Sequence, residues 1–225
     1  MRKKIVILAL LLQAGGFSAQ NEDPKGQHCV TVGYGVPNLY KVILKNAFDK
    51  THLLSMVFGS SGGSTYTTKA FGSGPFFLKY DHMVRNHIGL GVVIGYFNAG
   101  IEETHKYTES SATSPAVNYT DVTRLDFSSL SIGGRFNYHF GKNPKFDPYL
   151  GFATGYNSIS NSFSFKSDNP NLFSGRIPLP AVTSNLYLAL TFGWRYYINE
   201  HLGFYAEIGL DKWAIIQGGL AFKFK

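Results

Sequence analysis

The sequence predicts an all-β chain folded as an eight-stranded antiparallel transmembrane up-and-down β-barrel. Three observations predict it. Apolar residues recur at every second position in eight separate runs, the repeat of a two-faced strand rather than a helix. Aromatic residues make up 16% of the chain and charged residues only 16%, against about a quarter charged in ordinary soluble domains. The connections between the runs alternate between short and long until the last, which is short.

The chain opens with Met1-Arg2-Lys3-Lys4, an apolar run from Ile5 to Leu12, and small residues up to Ser18-Ala19. A basic start, a short apolar run and a small-residue exit form a secretory signal. The run is too short for a membrane-spanning helix, which needs about 20 apolar residues. Residues 1–19 are therefore read as the signal and 20–225 as the barrel domain. Without Arg2, Lys3 and Lys4 the formal charge falls from +7 to +4, which carries no nucleic-acid footprint. The single cysteine, Cys29, has no partner for an internal disulfide and is expected to fill space inside the barrel.

Each run sorts its residues onto two faces. In the first, Val30, Val32 and Tyr34 oppose Cys29, Thr31, Gly33 and Gly35. In the second, Phe76, Leu78 and Tyr80 oppose Phe77, Lys79 and Asp81. The third sets Ile88, Leu90, Val92, Ile94 and Tyr96 against Gly89, Gly91, Val93 and Gly95. In the fourth, Leu130, Ile132, Phe136 and Tyr138 oppose Ser129, Ser131, Gly133, Arg135, Asn137 and His139. The fifth, 148–156, opposes Leu150 and Phe152 to Tyr149, Gly151, Ala153 and Gly155. The sixth is the longest: Leu186, Leu188, Leu190, Phe192, Trp194, Tyr196 and Ile198 alternate with Tyr187, Ala189, Thr191, Gly193, Arg195 and Tyr197. The seventh and eighth, 203–210 and 216–224, behave alike. The smaller, more polar face carries the glycines and the charges. A narrow eight-stranded barrel has no room for bulky residues from every strand, so that face is expected to be the lumen. A soluble lipocalin-like barrel would place apolar residues inside instead.

Short turns at 82–87, 141–147 and 199–201 alternate with long connections at 37–73, 98–123 and 157–185. In outer-membrane barrels the short turns are periplasmic and the long loops extracellular, and an even strand count puts both termini in the periplasm. Lys106 and Asn169 are thus expected to be reachable from outside cells, and Lys142 and Asn143 not. Residues 104–121 and 158–184 are rich in Ser, Thr, Asn and Pro and read as exposed loops. Leu39, Tyr40, Val42, Ile43 and Leu44 recur as in a short helix on the barrel rim.

Gly33-Tyr34-Gly35, Gly74-Pro75, Asp147-Pro148-Tyr149-Leu150-Gly151, Tyr205-Ala206-Glu207-Ile208-Gly209 and the aromatic last strand resemble the outer-membrane β-barrel family of porin-like and OmpA-type eight-stranded domains. The resemblance spans 29–225. Its most specific element is terminal: Gln217, Gly219, Phe222 and Phe224 match the family's insertion signal, departing from it in the final Lys225. The resemblance implies insertion by the barrel-assembly machinery and contact with outer-membrane lipid and lipopolysaccharide. No peptidoglycan-binding periplasmic domain is expected, since no sequence follows the eighth run.

The inward face collects Lys79, Asp81, Arg135, His139, Arg195, Glu207, Gln217 and Lys223. Ions in a narrow lumen must pair or hydrate, so these residues are expected to form a polar plug, or alternatively an ion path. The lumen is read as net basic, with Arg195 and Glu207 on one diagonal as an ion pair and Glu207 serving further cations. His139 points inward and the other histidines lack metal-ligand spacing. No cofactor, metal or catalytic residue is expected. The function expected is structural or surface-interacting through the long loops, then a small pore, then a lipid-modifying enzyme.

Overall fold

The computed structural model describes residues 25–51, 64–111, 114–141, 143–172, 174–179 and 185–225. The signal segment and Lys142 lie outside the described residues. In chain order the elements are β1 (His28–Val36), α1 (Leu39–Thr51), β2 (Thr65–Phe71), β3 (Phe76–Arg85), β4 (Ile88–Ser111) and β5 (Ser114–His139). They continue with β6 (Phe146–Ser167), β7 (Gly175–Leu179), β8 (Leu186–Tyr197), β9 (Leu202–Asp211) and β10 (Ala214–Phe224).

Eight of the ten strands close on themselves. Every contact is antiparallel, in the order β1, β3, β4, β5, β6, β8, β9, β10, and β10 returns to β1 through His28↔Phe224 to Val36↔Ile216. Closure leaves the eight-stranded ring without an unpaired edge, the condition for strands in a hydrocarbon layer. The alternating pattern sets the faces as predicted: Leu190 is 58% exposed on the outside while its neighbour Thr191 is 3% exposed in the lumen. Outside, Val32, Leu78, Val92, Ile132, Phe152, Leu188, Phe204 and Leu220 form a continuous apolar belt. The barrel is inside out relative to a soluble one.

The long connections differ from expectation. Residues 98–123 and 157–185, expected as loops, are mostly strand: β4 and β5 stay paired from Ile88↔Tyr138 up to Ser111↔Ser114, and β6 follows β5 to Asp121↔Ser167. Two further strands broaden this extension. β2 pairs with β4 from Thr65↔Lys106 to Phe71↔Gly100, and β7 pairs with β6 from Asn161↔Leu179 to Phe165↔Gly175. Between β2 and β3 the ladder is held by Ser73, which exchanges both backbone hydrogen bonds with Asn98 at 3.1 and 3.0 Å. The result is a five-stranded wall, β2-β4-β5-β6-β7, standing above a rim where β1, β8, β9 and β10 stop. Thr and Ser dominate these segments because their outer face meets no apolar layer. Period two persists underneath, and polarity alone suggested loop. Asn169, expected to be accessible, is 3% exposed; its amide donates to Tyr107 Oη at 3.2 Å.

The predicted rim helix is present and longer than its apolar cluster. Asn38 caps it, its Oδ1 accepting from Lys41 N at 3.0 Å, and Leu39 N donates to Trp213 O at 2.9 Å. Tyr40 packs against Phe97, Phe127 and Trp213 with centroids 5.6, 5.2 and 5.6 Å away. Since Phe97 is inward and buried, α1 lies across the mouth. Burial raises the Tyr40 phenol above its ordinary value.

Candidate functional site: the lumenal ion network

The lumen is filled by side chains from all eight barrel strands. At its centre Glu207 is 0% exposed. Its Oε2 accepts from Lys79 Nζ at 2.7 Å, and its Oε1 accepts from Arg135 Nη2 and from Tyr149 Oη, the latter at 2.6 Å. Tyr149 reaches across because Gly193, directly opposite Glu207, has no side chain. A Cβ there would stand 2.6 Å from the Tyr149 ring and 2.7 Å from Glu207 Cγ. Lys79 Nζ also donates to Gln217 Oε1 at 2.7 Å and Asp211 Oδ2 at 3.2 Å. Asp211 is further bound by Gln217 Nε2 at 3.1 Å and Tyr187 Oη at 2.7 Å.

Toward the short turns a second group forms around Asp81. Arg195 Nη2 donates to Asp81 Oδ2, and Arg135 Nε stands 3.5 Å from Asp81 Oδ1. Arg135 Nε donates to Asn137 Oδ1 at 2.9 Å. Arg195 Nη1 is 3.7 Å from Asp147 Oδ2, and Asp147 Oδ1 is 2.7 Å from His139 Nδ1. The Tyr149 ring lies between the guanidiniums, 5.5 Å from Arg135 Cζ and 4.7 Å from Arg195 Cζ, within cation–π range. Lys223 sits at the end of the lumen, its Nζ 4.4 Å from the Tyr197 ring centroid and donating to Pro144 O at 3.2 Å. Cys29 is buried beside Tyr197, whose hydroxyl is 3.4 Å from Sγ.

At the mouth, Lys212 occupies the β9–β10 turn with φ 47° and Trp213 follows with φ 65°. Paired left-handed residues form the hairpin turn that matches strand twist and usually take Asn-Gly. Here they aim Lys212 down the lumen, where Nζ donates to Ser129 Oγ at 3.0 Å, to Ser131 Oγ and to Asn157 Oδ1 at 3.3 Å. All three partners are neutral. Burial pushes the Lys212 ammonium down to about 8, with Asp211 opposing in part.

All eight residues named from the sequence point into the lumen, but one expectation about them needs correction. Arg195 does not pair with Glu207. The register is as expected, Gly193↔Glu207 and Arg195↔Tyr205, yet Arg195 turns to Asp81 and Asp147 while Lys79, Arg135 and Tyr149 surround Glu207. The lumen is net basic, as expected: Lys79, Arg135, Arg195, Lys212 and Lys223 stand against Asp81, Asp147, Glu207 and Asp211. Asp147, Asp211 and Lys212 were missed because they sit at strand ends and read as turn residues. Tyr149, Tyr187 and Asn137 carried a signal, since their odd positions put them on the inward face, but their polar tips were not counted. Of the insertion-signal residues, Gln217 belongs to the network while Phe222 and Phe224 are exposed on the outer belt.

A closed eight-stranded ring with an apolar exterior and an ion-filled interior is the architecture of an outer-membrane β-barrel. The chain is similar to several solved structures. They include Ail, the attachment invasion locus protein of Yersinia pestis, solved with the heparin analogue sucrose octasulfate (14% identity, 89% of this chain and 99% of that one, TM-score 0.38). Pseudomonas aeruginosa OprG is another (13%, 89% and 96%, TM-score 0.41), as is the N-terminal β-barrel domain of Pseudomonas aeruginosa OprF (14%, 90% and 100%, TM-score 0.33). No family model and no curated protein sequence matches the chain.

Proposed function

We propose that the protein is an integral outer-membrane barrel whose work is done by the wall above its rim, as a structural or surface-interacting element. The wall faces the cell exterior and both termini the periplasm. One contrast carries this reading: the lumen is closed from Lys212 to His139 by hydrogen-bonded and ion-paired side chains, whereas five strands project beyond the rim. A passage for ions needs a continuous wet path, and breaking buried pairs to make one costs several kcal/mol. Insertion through the assembly machinery at Gln217, Gly219, Phe222 and Phe224, and packing of the outer belt against lipid and lipopolysaccharide, complete the proposal.

Two measurements on one preparation test it. Planar-bilayer recordings of the folded barrel are expected to show no stepwise conductance. Cells expressing a variant with residues 101–125 replaced by a tight turn are expected to adhere less to immobilised matrix proteins and polysaccharides. Stepwise conductance together with unchanged adhesion would favour a pore. On intact cells, protease is expected to reach Lys106 and Lys166, both exposed, before the 143–145 turn; the reverse order would invert the barrel.

A further inference from the structure

Near the short-turn end of the lumen, three neighbouring strands bring an imidazole nitrogen and a thioether sulfur together over a glycine. His139, the last residue of β5, is 2% exposed. Its Nδ1 is engaged by Asp147 Oδ1 at 2.7 Å, which leaves Nε2 as the free ring atom, and Nε2 is buried with no hydrogen-bond partner. Met83 is buried on the inward face of β3 and stands opposite Gly89 of β4. A Cβ placed on Gly89 would lie 3.0 Å from His139 Nε2, 3.5 Å from Met83 Sδ and 3.6 Å from Asn137 Cβ. The nitrogen and the sulfur therefore face one small space that exists because residue 89 has no side chain.

The ion network leaves this space out. His139 meets the network through Nδ1 only, and Met83 takes no part in it. The Cys29 thiol is directed to Tyr197 instead. A neutral imidazole nitrogen with a thioether is a soft donor pair, suited to a monovalent d10 ion and poorly suited to calcium or magnesium, which take oxygen ligands. A carboxylate on the far nitrogen of a ligating histidine is the usual outer-sphere arrangement; it fixes the tautomer and raises the donor strength of the near nitrogen. Among the described residues no three His, Cys, Asp or Glu side chains converge into a metal-binding group, which leaves the nitrogen–sulfur pair as the donor set. Met83 has three free torsions with which to close on an ion.

We propose that His139 Nε2 and Met83 Sδ form a binding site for a soft monovalent metal ion of the Cu(I) and Ag(I) class, just inside the short-turn end of the barrel. Asp147 is its positioning residue, and Gly89 leaves it room. Spacing in the chain cannot show such a site, because its parts lie on β3, β4 and β5 and meet only through the register.

Silver is the probe, since it needs no reductant. The folded full-length barrel in detergent is titrated with Ag(I) by calorimetry, as wild type and as C29S, because a thiol competes for silver. C29S is expected to retain one ion per barrel. H139A and M83L in that background should each weaken binding by at least tenfold, and D147N by about 10–100-fold. G89A keeps both donors but fills the space with a methyl, so it too should lose the ion, while H201A in the short β8–β9 turn should not. The His139 imidazole nitrogen signal should move on silver addition in C29S and stay still in G89A. Heat-modified gel migration establishes that each variant is folded, and if H139A fails that check, M83L and G89A decide. No uptake by C29S, or uptake unchanged in M83L and G89A, overturns the proposal.

Discussion

Strands β4, β5 and β6 pass through two environments, and their outer face changes from apolar to polar between them. Below the rim Leu90, Val92, Ile94, Leu130, Ile132 and Phe152 face outward, while Arg135, Asn137, His139 and Tyr149 face in. Above it, the outward positions include Glu102, Thr104, Lys106, Arg124 and Lys166, and the inward ones mix Ala99, Ile101, Tyr107 and Phe165 with the buried Glu103, Asp121 and Thr123. The change falls within a few residues of Asn98 on β4. The backbone ladder is uninterrupted there, so the switch owes nothing to the fold. It follows from what surrounds each half: hydrocarbon outside the lower part, which expels charge, and water outside the upper part, which solvates charged and polar side chains. Arg124 shows the upper regime. It binds Asp126 through both ends of its guanidinium, at 2.9 and 3.0 Å, and lies 4.1 Å from the centre of the Phe71 ring on the outer face.

Breaking the lower half from inside has the largest expected effect. Glu207→Ala strands Lys79 and Arg135 and removes the acceptor of Tyr149, so a loss of about 3–5 kcal/mol is expected. Urea unfolding of the barrel in vesicles measures it, and a loss below about 1 kcal/mol would mean that water replaces the carboxylate. Glu207→Gln keeps the shape and one acceptor and should cost less.

Next comes the outer face, where the two halves should separate cleanly. Leu190→Arg places a charge in the belt and should cost about 2–4 kcal/mol near its middle. Thr104→Arg, at an outward position of the wall, should change stability by less than about 0.5 kcal/mol. Equal costs at the two sites would dissolve the distinction between the halves.

The smallest effect is a pH dependence at the mouth. The Lys212 ammonium is lowered from its ordinary 10.5 to about 8 in the fold. Between those values the unfolded chain holds a proton that the folded one has released, so stability should rise with pH across that window. Below pH 8 both forms are charged and the contribution is flat. Discounted for water at the mouth, the gain should be about 1 kcal/mol. Lys212→Met should flatten the curve, and an unchanged slope in that variant would assign it to another group.

The architecture was legible because a strand's two faces repeat every two residues, and Leu186 to Ile198 wrote both faces without a break. The wall was not. Thr104, Thr108, Thr120 and Val122 continue the alternation, but a strand with water on one side loses the apolar face that announces it. In the lumen, parity told which residues point in and not whom they meet. Arg195 and Glu207 share a diagonal as the register requires, and Arg195 still finds Asp81, 114 residues away in sequence.

By itself the sequence determined the class of the protein: the number of barrel strands, which side of each faces lipid, and which charges within the strands point inward. These follow from local periodicity and from the energy of apolar surface, which a strand carries wherever it sits. Tertiary structure alone decided the partners: Lys79 with Glu207, Arg195 with Asp81, Lys212 with three neutral oxygens, and His139 with Met83 across Gly89. Ring closure and strand stagger bring distant positions to one height, and long side chains then choose among neighbours by reach and charge. Neither distance nor reach is written in the spacing of residues along the chain.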